Sequence, residues 1–120
     1  MTYDEIKNLL LMMDSPVDKL ELVMDIGGRA GDVPEDAKCT EILGCSSFVQ
    51  ICRKNNLFYV NADSVLVRGI ANIIVAMVNG KTEQEIQEMD IAAEFASLGL
   101  SLGAGRLNGV DSMIRFFKNL

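Results

Sequence analysis

The spacing of apolar residues changes twice along the chain, and this change is the feature that most constrains the fold. The first 28 or so residues and the second half carry apolar side chains at every third or fourth position, as helices do. Between them lie short apolar runs separated by turn-forming residues, a pattern typical of β-strands. Helices, then strands, then helices predict an α+β domain with a small antiparallel sheet of about three strands and helices on one face. A chain of 120 residues is long enough for one such core and too short for two, so residues 1–120 are expected to form a single domain.

Capping patterns mark the starts of the first two helices. Thr2 and Glu5 have the spacing of a capping box, in which both side chains accept hydrogen bonds from backbone donors at a helix start. The Ser15-Pro16 pair combines an N-cap with a proline at the first helical position. The Gly27-Gly28 pair then predicts the end of the second helix in a left-handed conformation.

The middle of the chain contains the predicted sheet. Residues 29–38 lack periodicity and are expected to form a loop. Asparagines between the last two strand-like runs suit a hairpin turn, because asparagine tolerates positive φ. The predicted strands cover residues 40–43, 48–52 and 57–60, and the later helices cover residues 64–78, 82–90, 90–97 and 107–118.

Composition excludes several classes of function. The chain has no histidine, which removes the Ser-His and Cys-His catalytic pairs and zinc sites that need imidazole. A net charge of -6 is the wrong sign for a nucleic acid or an anionic membrane surface. The longest apolar run, residues 70–78, is far shorter than the roughly 20 residues of a membrane span. Acidic residues near the start disfavour a secretion signal, so a cytoplasmic protein is expected.

Three cysteines lie within one short segment, and Cys45 is placed best for chemistry. An odd number of cysteines without a secretion signal predicts reduced thiols rather than a disulfide framework. The chain has no C-x-x-C pair, which makes a structural metal site improbable. Cys45 follows Gly44 in a turn of small residues between two predicted strands, where a thiol can be presented to a partner. The alternative is that Cys45 is simply a small buried residue. Cys39 could serve as a resolving thiol for Cys45, whereas Cys52 is expected to belong to the core.

Several short motifs occur in a characteristic order along nearly the whole chain. They are Asp25-Ile26-Gly27-Gly28, Val33-Pro34, Leu43-Gly44-Cys45-Ser46-Ser47-Phe48-Val49, residues 62–69, residues 79–86, residues 95–100 and Arg106-Leu107-Asn108-Gly109-Val110-Asp111-Ser112-Met113. In this order they resemble the SufE-type sulfur acceptors, the iron-sulfur metabolism associated domain. The fold of that family is related to the IscU-type cluster scaffolds.

The resemblance implies a function for Cys45. This residue matches the family's sulfur-accepting cysteine, which takes sulfane sulfur as a persulfide from a PLP-dependent cysteine desulfurase and stimulates that enzyme. The sulfur would then pass to an iron-sulfur assembly complex. Such a protein is a carrier rather than a free-standing enzyme, has no bound cofactor, and could be a monomer or a homodimer.

The resemblance also implies roles for residues around Cys45. Arg106 matches the arginine of the family's Ser-Arg-x-Asn-Gly motif and is expected to shape the site or contact the desulfurase. Gly44, Ser47 and Asp63 lie in the matched motifs and are expected to do the same.

Three departures from the family pattern bear on partner choice. Gln50 replaces a frequent tryptophan, residues 101–105 replace a His-Leu-Ser-Pro-Ser segment, and residues 61–63 differ from the usual Asp-Ser-Asp. Two alternative functions remain open at this point. One is an IscU-like cluster scaffold that uses all three cysteines, and the other is an interaction module that regulates a desulfurase without carrying sulfur.

Overall fold

The computed structural model describes all 120 residues and has six helices and one three-stranded antiparallel sheet with strand order β1-β2-β3. The predicted α+β fold is therefore confirmed. The elements in chain order are α1 (Tyr3–Met12), α2 (Pro16–Arg29), β1 (Lys38–Glu41), β2 (Val49–Lys54), β3 (Leu57–Ala62), α3 (Val65–Val78), α4 (Glu83–Glu88), α5 (Ile91–Ala96) and α6 (Ala104–Lys118). No helix has both the length and the apolar character needed to cross a membrane.

The capping patterns in the sequence form as predicted. At α1 the Thr2 hydroxyl accepts from the Glu5 backbone N–H at 3.2 Å, and the Glu5 carboxylate accepts from the Thr2 N–H at 3.2 Å. A second capping box of the same kind joins Thr82 and Glu85 at the start of α4. These local hydrogen bonds satisfy backbone donors that a helix start leaves without partners.

The Gly27-Gly28 pair does not end α2, and this prediction is wrong. The helix continues to Arg29. Gly27 instead allows the close approach of α2 to α3. A Cβ on Gly27 would lie 2.2 Å from the Val65 carbonyl oxygen, and a Cβ on Gly69 of α3 would lie 2.0 Å from the Val23 carbonyl oxygen. The two backbones meet where only hydrogen atoms fit.

One face of the sheet packs on the helices. Ile51 lies opposite Val60 in the β2–β3 register, and both are buried. The Phe58 ring meets the Phe117 ring of α6 edge to face, with centroids 5.1 Å apart. The predicted hairpin turn between β2 and β3 is confirmed, since Asn55 and Asn56 have φ of 51° and 66°. The sheet face thereby joins a single cluster of 23 buried apolar residues with the helices.

Cys39 and Cys52 form a disulfide, so the prediction of three reduced thiols is wrong. The two residues are register partners on β1 and β2, with Cα atoms 3.9 Å apart. Strand alternation places Cys52 on the face opposite to its buried neighbour Ile51. Cys52 is fully buried, as expected. Cys39 is exposed and cannot act as a resolving thiol while it is bonded to Cys52.

Candidate functional site

Cys45 is the free cysteine of the chain and lies in the turn that connects β1 to β2. Gly44 precedes it with φ of +90°, a conformation that strains any residue with a side chain. The predicted turn of small residues is therefore confirmed. The disulfide between Cys39 and Cys52 ties together the two strands from which this turn emerges.

Two glycines bring the turn against helix α6. A Cβ on Gly44 would lie 2.6 Å from the Ser112 hydroxyl oxygen, and a Cβ on Gly109 would lie 3.1 Å from Cys45 Sγ. The thiol points at the helix, with Sγ 3.8 Å from the Gly109 carbonyl oxygen. Because both glycines lack side chains, Cys45 is turned inward and only partly exposed.

A small cavity adjoins the thiol. Its volume is about 10 Å³, which is close to one water-sized sphere. Its apolar wall comes from α3 and α6, and its rim comes from the turn and from the start of α6. The lining residues are Cys45, Ser46, Ser47, Val67, Ile70, Gly105, Arg106, Gly109 and Met113.

Burial sets the acidity of the resting Cys45 thiol. Burial raises the pKa of the Cys45 thiol, because an apolar setting disfavours the thiolate. Arg106 lies on the cavity rim, is exposed, and forms no ion pair or side-chain hydrogen bond, so its charge is available to an anion there. The N-cap of α6 is Gly103, which supplies no side-chain cap to the positive end of the helix. The Cys45 thiol therefore adjoins a cavity that Arg106 and the first turn of α6 also line.

The structure brings together most of the predicted site residues. Ser47 and Arg106 line the cavity beside Cys45, and Gly44 precedes Cys45 in the turn and packs on Ser112. The Ser47 Oγ is buried and has no hydrogen-bond partner. Asp63 is different, because its side chain is exposed, forms no hydrogen bond or ion pair, and does not line the cavity. Its backbone N–H donates to the Phe48 carbonyl at 3.4 Å, so Asp63 contributes to the shape of the turn through the main chain.

Gly109 and Ser112 are site residues to which sequence reasoning assigned no role. Ser112 is 8% exposed, and its hydroxyl donates to the Asn108 carbonyl at 3.1 Å. It also accepts from the Arg115 guanidinium at 3.2 Å, which holds it in place beneath Gly44. Both residues fall in the motif that contains Arg106. Their role becomes visible only when α6 is seen to pack on the turn, where Gly109 makes room for Cys45 and Ser112 contacts Gly44.

Exposed apolar side chains lie next to the site along the chain. Leu43 precedes Gly44 and is 78% exposed, and Leu107 follows Arg106 and is 45% exposed. Both are large residues that a partner could cover.

These features describe an α+β protein with one free, partly buried thiol on a turn that packs against a helix. The family model of SufE, the Fe-S metabolism associated domain, matches residues 4–120. The chain therefore belongs to the SufE family, and the resemblance noted from its motifs is confirmed.

Individual relatives agree with this assignment. An uncharacterized SufE-like protein of Rhizobium meliloti is 29% identical, over 97% of this chain and 91% of its own. The sulfur acceptor protein CsdE of Escherichia coli is 26% identical, over 93% of this chain and 82% of its own. The solution structure of a hypothetical protein from Thermus thermophilus has the same fold, with a TM-score of 0.69 at 10% identity over 99% of this chain and 94% of that one.

Proposed function

We propose that this protein is a sulfur acceptor that carries sulfane sulfur as a persulfide on Cys45. The donor is a PLP-dependent cysteine desulfurase, which the protein stimulates, and the recipient is an iron-sulfur assembly complex. The observation that carries the proposal is the free Cys45 thiol beside its small cavity, in a chain of the SufE family. The name of the Escherichia coli relative, a sulfur acceptor protein, supports the same function.

The transfer needs no general base from this chain. The Cys45 thiolate attacks the outer sulfur of a persulfide on the desulfurase, and a new S–S bond forms between Cys45 Sγ and that sulfur. The S–S bond on the desulfurase breaks, and its cysteine leaves as a thiolate that takes up a proton. No net oxidation or reduction occurs, because the sulfane sulfur moves from one thiolate to another. The absence of histidine is therefore compatible with the reaction.

The resting thiol must leave its inward position before it can react. In that position it is partly buried and its pKa is raised, so the thiolate fraction is low. Gly44 allows the turn to change its backbone conformation, and the contacts that hold the turn involve the Ser112 and Cys45 side chains. Docking of the desulfurase would turn the thiol outward, and its return would shield the persulfide from solvent.

The desulfurase would contact the surface around the turn. Leu43 and Leu107 supply exposed apolar area, and Arg106 supplies an unpaired positive charge next to the thiol. The guanidinium would stabilise the thiolate during attack, since an opposite charge nearby favours the ionised form. Arg106 is therefore assigned a role in activating the thiol as well as in contacting the partner.

Transfer of labelled sulfur tests the proposal. A cysteine desulfurase and radiolabelled cysteine would be incubated with the wild-type protein, with Cys45→Ser, and with the matched Cys39→Ser, Cys52→Ser double variant. We expect the double variant to accept sulfur and Cys45→Ser to accept none. Labelling of Cys45→Ser at the wild-type level would contradict the proposal.

A further variant, Cys45→Ala, separates a carrier from an interaction module. If the protein stimulates the desulfurase by accepting its sulfur, Cys45→Ala should remove the stimulation. Stimulation that survives in Cys45→Ala would favour the module. The cluster scaffold needs all three cysteines as ligands, and the Cys39–Cys52 disulfide leaves only Cys45 free, so no feature of the structure favours it.

A further inference from the structure

Two buried side-chain polar atoms lack a hydrogen-bond partner, and one of them adjoins the reactive thiol. They are Ser47 Oγ and Arg68 Nε. The Arg68 guanidinium is anchored through its other end, where Nη2 donates to the Ala30 carbonyl at 3.3 Å. The Ser47 side chain has no other polar atom, so it has no hydrogen bond at all. Buried polar groups without partners are rare in folded proteins, and each calls for an explanation.

The position of Ser47 explains why its hydroxyl has no partner in the resting protein. Ser47 and Cys45 line the same small cavity, together with apolar side chains of α3 and α6. The Cys45 thiol, as a donor, points at the Gly109 carbonyl oxygen, so the resting thiol does not engage Ser47. The cavity has room for about one water-sized sphere, which is on the scale of one atom added to the thiol.

We propose that the Ser47 hydroxyl is the hydrogen-bond donor for the outer sulfur of the Cys45 persulfide. This inference rests on the proposed function, because it needs a persulfide on Cys45. The outer sulfur of an ionised persulfide carries negative charge, and a hydroxyl that donates to it forms a charge-assisted hydrogen bond. Ser47 is then without a partner only while the site is unloaded. Its hydroxyl holds the outer sulfur inside the cavity, away from reductants in solution.

The chemistry of the other lining groups supports this assignment. Val67, Ile70 and Met113 offer no strong donor to an anion. Arg106 is exposed at the rim and is suited to the outward position of the thiol, when the partner is docked. Ser47 is the lining residue with a buried, unpartnered hydroxyl, which suits it to the inward position.

The experiment loads the persulfide chemically, so that it does not depend on a desulfurase. Inorganic polysulfide would be added to the wild-type protein, Ser47→Ala, Ser47→Thr and the control Ser101→Ala, whose exposed serine lies outside the cavity. The Cys45 thiolate attacks the polysulfide, forms an S–S bond and expels a shorter polysulfide. The readouts are the rate at which dithiothreitol removes the outer sulfur and the pH at which the persulfide ionises, followed by its ultraviolet absorbance.

We expect Ser47→Ala to lose the outer sulfur roughly tenfold faster and to ionise about one pH unit higher than wild type, since a hydrogen bond to a charged group is worth about that factor. Ser47→Thr keeps the hydroxyl and should restore both properties, and Ser101→Ala should match wild type. The alkylation rate of the unloaded thiol should change little in Ser47→Ala, which distinguishes loss of the hydrogen bond from general loosening of the turn.

Two results would overturn the inference. One is a persulfide in Ser47→Ala with the same lifetime and ionisation as in wild type. The other is a wild-type protein that polysulfide cannot load at Cys45. Failure of the desulfurase to transfer sulfur, with normal chemical loading and a clear effect of Ser47→Ala, would contradict the proposed function alone.

Discussion

Glycines permit close contacts in two regions of the molecule, but their neighbours differ. Where α2 crosses α3, Cβ atoms on Gly27 and Gly69 would meet backbone carbonyl oxygens at 2.2 and 2.0 Å. Where the turn that carries Cys45 packs on α6, Cβ atoms on Gly44 of the turn and Gly109 of the helix would meet side-chain atoms at 2.6 and 3.1 Å. A backbone within a helix cannot move without its neighbours, whereas a side chain can rotate away. We therefore expect the first contact to be rigid and the second to let the turn open.

The largest effect is expected at the helix crossing. Gly27→Ala should lower the free energy of unfolding by about 3 kcal/mol or more, at or beyond the upper end of typical overpacking costs. Gly28→Ala is the matched control, because a Cβ there meets nothing within 4 Å. Because alanine favours the helix more than glycine does, Gly28→Ala should raise the free energy of unfolding by up to about 1 kcal/mol. Urea denaturation measures both, and equal stability of the two variants would show that the crossing is not tight.

The disulfide below the turn should give the next largest effect. Its cysteines are 13 residues apart, and closing a loop of about 15 residues contributes about 3 kcal/mol in the chain-entropy model. Reduction, or Cys39→Ser, should lower the stability by about this amount and speed the alkylation of Cys45, because β1 would then be held to β2 by backbone pairing alone. Dithiothreitol should no longer affect the stability of Cys39→Ser. If Cys45 is alkylated at the same rate whether the Cys39–Cys52 disulfide is oxidised or reduced, β1 does not restrain the turn.

A smaller effect is expected at Gly44. Gly44→Ala combines positive-φ strain of about 1–2 kcal/mol with the Ser112 contact. Gly80→Ala isolates the strain, because Gly80 has φ of +85° but nothing within 4 Å of its Cβ position. Gly44→Ala should be the less stable variant by up to about 1 kcal/mol, because the Ser112 side chain can give way. Only Gly44→Ala should speed Cys45 alkylation with iodoacetamide. If the two variants behave alike in both assays, the turn does not depend on its contact with α6.

The smallest effect concerns pH. Burial raises the pKa of the Cys45 thiol, so the folded protein keeps its proton at a pH where the unfolded chain, with a thiol pKa of about 8.5, loses it. The stability from this group is thus complete below about pH 8.5 and declines as the pH rises toward the folded pKa. The difference in stability between wild type and Cys45→Ser, measured across this range, isolates the group. A difference that stays constant from about pH 8 to about pH 10 would contradict a raised pKa of the partly buried thiol.

Local patterns in the sequence predict local structure well. The capping box of Thr2 and Glu5 and the paired asparagines Asn55 and Asn56 depend only on residues a few positions apart, so the chain itself contains the needed information. The Gly27-Gly28 pair misleads for a physical reason. A glycine that provides a positive φ and a glycine that makes room for a neighbouring helix look the same until the neighbour is known.

The cysteines show the same limit at the site. Pairing of Cys39 with Cys52 depends on the strand register and on which face each residue occupies, and β1 begins two residues earlier than predicted. Position in a turn of small residues singles out Cys45, but Arg106 enters through its motif alone. Arg106 and Ser47 line the same cavity only because α6 packs against the turn. This contact is between residues about 60 positions apart in the chain.

The central claim is that Cys45 carries sulfur while Cys39 and Cys52 do not. Peptide mass spectrometry, after incubation with a cysteine desulfurase and cysteine, tests it most directly. We predict a gain of one or more sulfur atoms on the peptide containing Cys45, with the Cys39–Cys52 disulfide intact. Added sulfur on Cys39 or Cys52 in place of Cys45, or no added sulfur under conditions where the desulfurase turns over, would contradict the account.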